Sequence, residues 1–288
     1  MERQSNNLLQ AAKQIQALYG SNLNSKIYAN QSDIFILKRA MATMQHHDAV
    51  TGTEKQNVAE DYAKSLYEGA KAVQSFMGPI LFEMSGTTPP MGASNFLCPL
   101  ANVSQCSWTE SESNLSIVIY NPLNRKVSKM VRLPVKDAKV QIFDGQGNEI
   151  ETEFVPVGNH ILSLPGRQSE AYFDVIFRAE NIPALGYRSY FWKWSEETFV
   201  DKILEVKTNS DMSNIFASMA YYIGSGEEPQ PSGAYVFRPE NQIKTFSEIK
   251  ESYEVKGNLV EEYWVFTEND WMSFVQRQYK GTQFYSAL

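Results

Sequence analysis

The chain has 288 residues, 43% hydrophobic and 12% aromatic, enough apolar side chain to fill one large domain or two ordinary ones. Its 26 basic and 33 acidic residues leave a formal charge of −7 with no long block of one sign, which argues against a phosphate-backbone ligand and so against a nucleic-acid partner. No window approaches the ~18 consecutive apolar residues of a membrane span, and the opening MERQSNNLLQ lacks the apolar centre of a secretory signal.

The first third reads as helix. NNLLQAAKQIQALYG places Leu8, Leu9, Ala12, Ile15 and Leu18 at helical spacing and stops at Gly20, the usual residue past a helix end. A second helix begins at Ser32 or Asp33, carries Ile34, Leu37, Met41 and Met44 on one stripe, and runs straight into the pair His46–His47 and then Asp48. A third follows Thr51-Gly52-Thr53, where Thr53 and Gln56 fit the capping-box pattern. Its apolar face continues through Val58, Tyr62, Leu66, Gly69, Val73 and Phe76. Three amphipathic helices with short connections predict a bundle.

From Met84 to Ser94 the chain is rich in Pro, Gly, Ser and Thr, and beyond it the pattern changes to period two with β-branched and aromatic residues. This predicts two domains, a helical bundle over 1–90 and a β domain over 91–288. LSIVIYNPL, KMVRLPV, KVQIFDGQGNEIETEFVPV, AYFDVIFRA and YRSYFWKW read as strands, with DGQGN as a hairpin turn. The closing LVEEYWVFTENDWMSFVQRQYKGTQFYSAL adds two more. The predicted class is α+β: an N-terminal three-helix bundle followed by an antiparallel β-sandwich, and the sandwich looks incomplete.

Cys98 and Cys106 are the only cysteines, and their spacing in CPLANVSQC matches no common zinc knuckle, so a small disulfide loop is their simplest use. Asn30, Asn102 and Asn114 each open an N-x-[ST] sequon, an acceptor site if the chain meets the glycosylation machinery. Together these features point to a secretory pathway, which the opening residues do not. The expectation is a piece of something longer.

Two of the three histidines stand side by side. Consecutive residues of a helix point about 100° apart, so both rings reach one site only if the helix unwinds, and at most one is expected as a primary ligand. His160 lies far off in VGNHILS, which reads as a β-loop. A zinc site needs three or four converging ligands, so the chain by itself offers too few histidines for a self-contained centre. The structural alternative is that one ring caps the end of the second helix while Asp48 makes a turn.

AMATMQHHDAVTGTEKQNVAEDYAKSL closely resembles the central-domain signature of the lysosomal-type class II α-mannosidases, retaining glycoside hydrolases that use zinc. CPLANVSQC, IVIYNPLNRKVSKMVRLPV, IPALGYRSYFW and SGAYVFRP resemble later segments of the same family in the same order, so that five blocks run from about Leu37 to Pro239. The resemblance implies that His47 is a zinc ligand and that Asp48 and Tyr235 contact hydroxyls of a bound mannose. It assigns no role to His46. The other zinc ligands and the nucleophile belong in that family to an N-terminal catalytic domain, which this sequence does not match. A like-spaced cysteine pair also occurs there.

The resemblance therefore implies part of an α-mannosidase acting on mannose-containing oligosaccharides, lysosomal or secreted, that partners the missing catalytic domain. This chain alone would be inactive. The alternative is a non-catalytic carbohydrate-binding or structural remnant. Between Trp194 and Tyr221 the family has a strand-turn-strand unit that this sequence lacks, and its large C-terminal β-region stops early here, which is why the sandwich is expected to be incomplete.

Overall fold

The computed structural model describes residues 2–19, 31–84, 86, 97–208, 219–227, 229–233, 236–246, 249–267, 273–281 and 286–287. Helices α1 (Glu2–Tyr19), α2 (Gln31–Thr43), α3 (His47–Thr51) and α4 (Gln56–Met84) come first. The expected stop at Gly20 and the sequon at Asn30 lie outside the described residues. On α1 the buried positions Leu9, Ala12 and Ile15 recur every three residues, as one face of a helix requires. They meet Leu37, Ala40 and Met41 of α2 and Leu66, Val73, Phe76 and Ile80 of α4 in one apolar core. At the closest approach of α2 and α4, a Cβ on Gly69 would stand 2.7 Å from the Cα of Leu37, so only glycine lets the two backbones pack this tightly.

Two helix boundaries differ from expectation. Helix α2 ends at Thr43, short of the histidines, of which His46 precedes and His47 opens the separate short helix α3. Helix α4 starts at Gln56, and the hydroxyl of Thr53 donates to Asp48 Oδ1 at 2.8 Å, where the capping box would have turned it toward α4. The carboxylate five residues back is the better acceptor, because a charged oxygen forms the stronger hydrogen bond.

The rest of the chain is antiparallel β structure. Helix α5 (Ser107–Ser111) precedes strands β1 (Asn114–Tyr120), β2 (Val127–Val135), β3 (Val140–Phe143) and β4 (Thr152–Pro156). Helix α6 (Asn159–Leu162) is followed by β5 (Phe173–Ile182), β6 (Tyr187–Trp194), β7 (Val206–Thr208), β8 (Met219–Gly224) and β9 (Pro239–Phe246). Strands β10 (Ile249–Lys256), β11 (Val260–Thr267), β12 (Ser273–Tyr279) and β13 (Ser286–Ala287) complete the order. The sheets run β1-β6-β3, β2-β5-β4, β13-β12-β11-β10-β7 and β8-β9.

Three of these sheets form layers. Alternate residues of β5 point to opposite faces: Val175, Phe177 and Ala179 pack against Ile142, Tyr190 and Trp192 of the β1-β6-β3 sheet. Ile176, between them, joins Val255, Val260 and Trp264 of the five-stranded sheet. The middle sheet is thus covered on both sides, which explains the unbroken apolar run VIF in β5. The expected sandwich is present, and a third layer is added to it. The turn DGQGN is also present: Gly147 takes φ +86°, and Asp144 Oδ1 accepts from the backbone N–H of Gln146 and Asn148, each at 2.9 Å. After it the chain crosses to the middle sheet, so β3 and β4 are not partners.

Beside their apolar contact, the middle and five-stranded sheets also meet through an ion cluster. Arg132 Nε donates to Asp174 Oδ2 at 2.7 Å, and its Nη1 donates to Glu262 Oε1. Arg277 Nε donates to Glu262 Oε1 at 2.6 Å, Trp264 Nε1 to Glu262 Oε2 at 2.9 Å, and the Ser104 hydroxyl to Asp174 Oδ2 at 2.8 Å. Both carboxylates are buried, each with 1% of its side chain exposed.

The bundle docks at one end of the first sheet, where the chain leaves β1 and enters β6. Gln14 Nε2 donates to Pro122 O at 3.1 Å, Tyr19 OH to Leu185 O at 3.2 Å, and Tyr187 OH to Met84 O. Most of the expected domain boundary, 84–94, lies outside the described residues. No described helix is long and apolar enough to cross a membrane.

Candidate metal centre at the connection between α2 and α4

The break after Thr43 decides the geometry of the histidine pair. His46 precedes α3 with φ −57° and ψ 140°, an extended conformation, while His47 is the first residue of the helix. The 100° divergence expected of consecutive helical residues therefore does not apply. The two ring centroids lie 4.3 Å apart. Asp48 Oδ2 stands 3.3 Å from His46 Nε2 and 3.8 Å from His47 Nε2. The pair opens a helix instead of closing one, which removes the reading of either ring as a cap for the end of α2.

The loop beyond α3 holds Asp48 in place. Gly52 adopts φ +70°, and its N–H bonds back to Ala49 O and Asp48 O, ending the helix after little more than one turn. Thr53 then returns, its N–H on Asp48 O at 3.0 Å and its hydroxyl on Asp48 Oδ1. Thr51 and Thr53 hydroxyls are 2.9 Å apart. Asp48 Oδ1 is thereby occupied, and Oδ2 is the oxygen turned to the imidazoles. His47 has 81% of its side chain exposed against 28% for Asp48, so the cluster is anchored on the carboxylate side and open on the His47 side.

His46, His47 and Asp48 each offer one ligand atom within 4.8 Å of the others, the one such group of three among the described residues. Zinc bonds of about 2.0–2.2 Å set tetrahedral ligand atoms roughly 3.3 Å apart, a spacing that the 3.3 and 3.8 Å distances from Asp48 Oδ2 to the two imidazole nitrogens approach. Two imidazoles and a carboxylate are also a common donor set for that metal. The sequence had left His46 without a role; in the structure it is the histidine nearer to Asp48.

The remaining expected residues are elsewhere. Tyr235 lies outside the described residues. Cys98 and Cys106 are joined in a disulfide with Cα atoms 5.1 Å apart, so neither is a metal ligand. Asn102 sits exposed in a short 3₁₀ segment, Ala101–Val103, and Asn114 is the exposed first residue of β1. His160 is in α6, edge-on to Trp264 at 5.5 Å and to Phe266 at 5.2 Å between ring centroids. Burial holds its pKa below the ordinary value, opposed by the charge of Glu262.

Fold and site together define an α+β protein whose helical bundle presents a histidine–carboxylate cluster beside layered antiparallel sheets. The family model of the alpha mannosidase middle domain matches residues 1–84, the whole bundle with its histidine pair. Lysosomal alpha-mannosidase of Bos taurus is 30% identical over 91% of this chain and 27% of its own length. That of Homo sapiens is 29% identical over 97% of this chain and 30% of its own length. An alpha-mannosidase of Arabidopsis thaliana is 30% identical over 94% of this chain and 31% of its own. The chain is a relative of the lysosomal alpha-mannosidases through both its helical and its β regions, and it spans about a third or less of the length of those relatives.

Proposed function

We propose that this chain is the part of an alpha-mannosidase that supplies one zinc ligand and sugar contacts for release of terminal α-mannose from N-glycan oligosaccharides. The observation that carries this reading is the exposed ring of His47, beside Asp48 on a connection within the segment that matches the alpha-mannosidase middle domain. His47, the more exposed ring, reaches outward as the ligand. His46 packs against that ring and holds it in place. Asp48, and Tyr235 by family resemblance, accept or donate hydrogen bonds to sugar hydroxyls. Zinc held by His47 and by ligands of the catalytic domain would supply a Lewis acid for the sugar hydroxyls.

The carboxylate nucleophile and the carboxylic acid that a retaining mechanism needs come, in this reading, from a catalytic domain docked on the bundle. The disulfide agrees with a lysosomal or secreted location, because such bonds persist in oxidising compartments. A non-catalytic carbohydrate-binding or structural role is the second reading, favoured by the count of three ligand atoms in the cluster with no fourth among the described residues.

Assays with aryl α-mannosides and zinc separate the two. The purified chain should turn over no faster than buffer. Joined to the catalytic domain of one of the relatives it should gain zinc-dependent activity that His47→Ala abolishes. Activity indifferent to His47→Ala in the joined protein sinks the ligand role, and failure to gain any activity favours the non-catalytic reading.

A further inference from the structure

Among the described residues β1 pairs with β6 alone, so one edge of the first sheet is open. A groove of about 970 Å³ follows that edge, walled by Leu97, Trp108, Phe143 and Phe191 and by Asn114. Phe191 is 37% exposed and Leu97 41%, so the apolar wall faces solvent. An open strand edge beside apolar side chains is a template for pairing with another chain, and folded proteins cover such edges.

Strand register places the sequon Asn114-Leu115-Ser116 on this groove. Leu115, Ile117 and Ile119 pack into the core between the first and middle sheets, so Asn114 and Ser116, at the alternate positions, turn to the opposite face. Ser116 lies opposite Phe191, and Phe191 opposite Phe143, which puts both rings on the Asn114 face. Asn114 stands opposite Lys193 and so diagonal to Phe191, a separation of about 7–8 Å in antiparallel sheets. Asn114 is exposed as the first residue of the strand. Its amide nitrogen carries two hydrogens; one donates to Ser113 Oγ at 3.3 Å, and a substituent needs to replace only one.

We propose that Asn114 carries an N-linked oligosaccharide whose first sugars lie along this groove over Phe191 and Phe143 and cover the open edge of β1. The proposal rests on the lysosomal or secreted location given above and is independent of the zinc reading. In the transfer, the Asn114 amide nitrogen bonds to the anomeric carbon of a lipid-pyrophosphate-linked oligosaccharide. The lipid pyrophosphate leaves with the bonding electrons, and one amide proton is released. A sugar ring suits such a wall, because its C–H face packs on aromatic side chains while its hydroxyls stay toward water. The volume is near the upper end of ligand pockets, about 300–1,000 Å³, which leaves room for more than one ring.

The full chain, directed into the endoplasmic reticulum of a eukaryotic host by an added signal, provides the test. The route is then supplied, so an unmodified Asn114 counts against the site and not against the location. Release of the glycan by peptide-N-glycosidase in heavy-oxygen water should leave a labelled aspartate at position 114 in most molecules, read by peptide mass. In the glycosylated chain the acetyl methyl protons of the first sugar should move upfield under the aromatic rings, and Phe191→Leu should remove that shift. The amides of β1 should exchange several-fold more slowly than in Asn114→Gln. If Phe191→Leu fails to fold, the methyl shift in the unaltered chain and the exchange comparison decide. An unlabelled position 114 overturns the proposal. Unshifted methyl protons, or exchange equal to that of Asn114→Gln, also overturn it, since the glycan would then project into solvent and leave the edge open.

Discussion

His46 and His47 are sequence neighbours whose imidazole centroids lie 4.3 Å apart on one side of Asp48, because the backbone leaves helix α2 before the pair and enters α3 between them. In a continuous helix the same two side chains would diverge. The unwound residue brings a carboxylate and two imidazoles to one point, and makes their contributions to metal binding separable by mutation.

In a complex with a family catalytic domain, His47→Ala should weaken zinc binding far more than His46→Ala. His47 is the ring open to a partner domain, whereas His46 packs against that ring, centroids 4.3 Å apart, and would act by holding it in place. Loss of a positioning group typically costs roughly 10- to 100-fold in metal affinity, and loss of a ligand should cost more. Zinc titration of the two variants checks this. Equal losses would mean that both rings ligate, and a larger loss at His46 would exchange the roles.

Gly69→Ala should destabilise the bundle by about 1–2 kcal/mol, although alanine is the better helix former by about 1 kcal/mol. The added methyl would meet the backbone Cα of Leu37 at 2.7 Å, and a backbone atom cannot rotate away as a side-chain tip can. Helices α2 and α4 would have to separate along their whole contact. Urea unfolding measures the balance; a stabilised variant would show that the helices part without loss.

These cases show what the sequence reveals and what it hides. The stripes Leu9, Ala12, Ile15 and Leu66, Val73, Phe76 are legible because a helical period repeats locally, and the DGQGN turn because its Gly and Asp act within five residues. The break before His47 has no proline or glycine to announce it. Strands β7 to β10 were not expected: IKESYEVK is largely polar, and β7 pairs with β10 only after a long excursion of chain. Roles for His47, Asp48 and Tyr235 came from family resemblance alone. The nearness of His46 to Asp48 and the meeting of Arg132 with Glu262, 130 residues apart, are tertiary facts that no local pattern carries.

Reduction of the disulfide between Cys98 and Cys106 should lower stability by about 2–3 kcal/mol, the scale for closing so short a loop. The loop carries Ser104, whose hydroxyl binds Asp174, and it is held by Arg167, whose Nε donates to Val103 O at 3.0 Å and whose Nη2 donates to Ser104 O at 2.8 Å. Loosening it should therefore be felt at the ion cluster between the sheets. A double Cys→Ser variant should show faster hydrogen exchange at Ser104 and Asp174 than in the bundle; uniform exchange would disconnect the loop from the cluster.

The ion cluster gives the β layers a dependence on acidity. Burial alone would raise the pKa of Glu262, but Arg132 and Arg277, with hydrogen bonds from Arg277 and Trp264, outweigh it and bring the value from an ordinary 4.5 to about 2. Because the folded value lies below the unfolded one, the unfolded chain binds the extra proton first, and stability rises with pH across that interval. The contribution, about 3 kcal/mol in order of magnitude, is fully present above pH 4.5 and is lost as pH falls toward 2. Glu262→Gln should remove this dependence. It should also destabilise the chain at neutral pH by about 3–5 kcal/mol, since Arg132 and Arg277 would be left beside a neutral amide in a buried place. Denaturant unfolding of both proteins at pH 7, 4 and 2.5 gives the comparison: the stability difference should shrink as the pH falls, and a difference that stays constant would show that Glu262 holds the sheets by packing and not by charge.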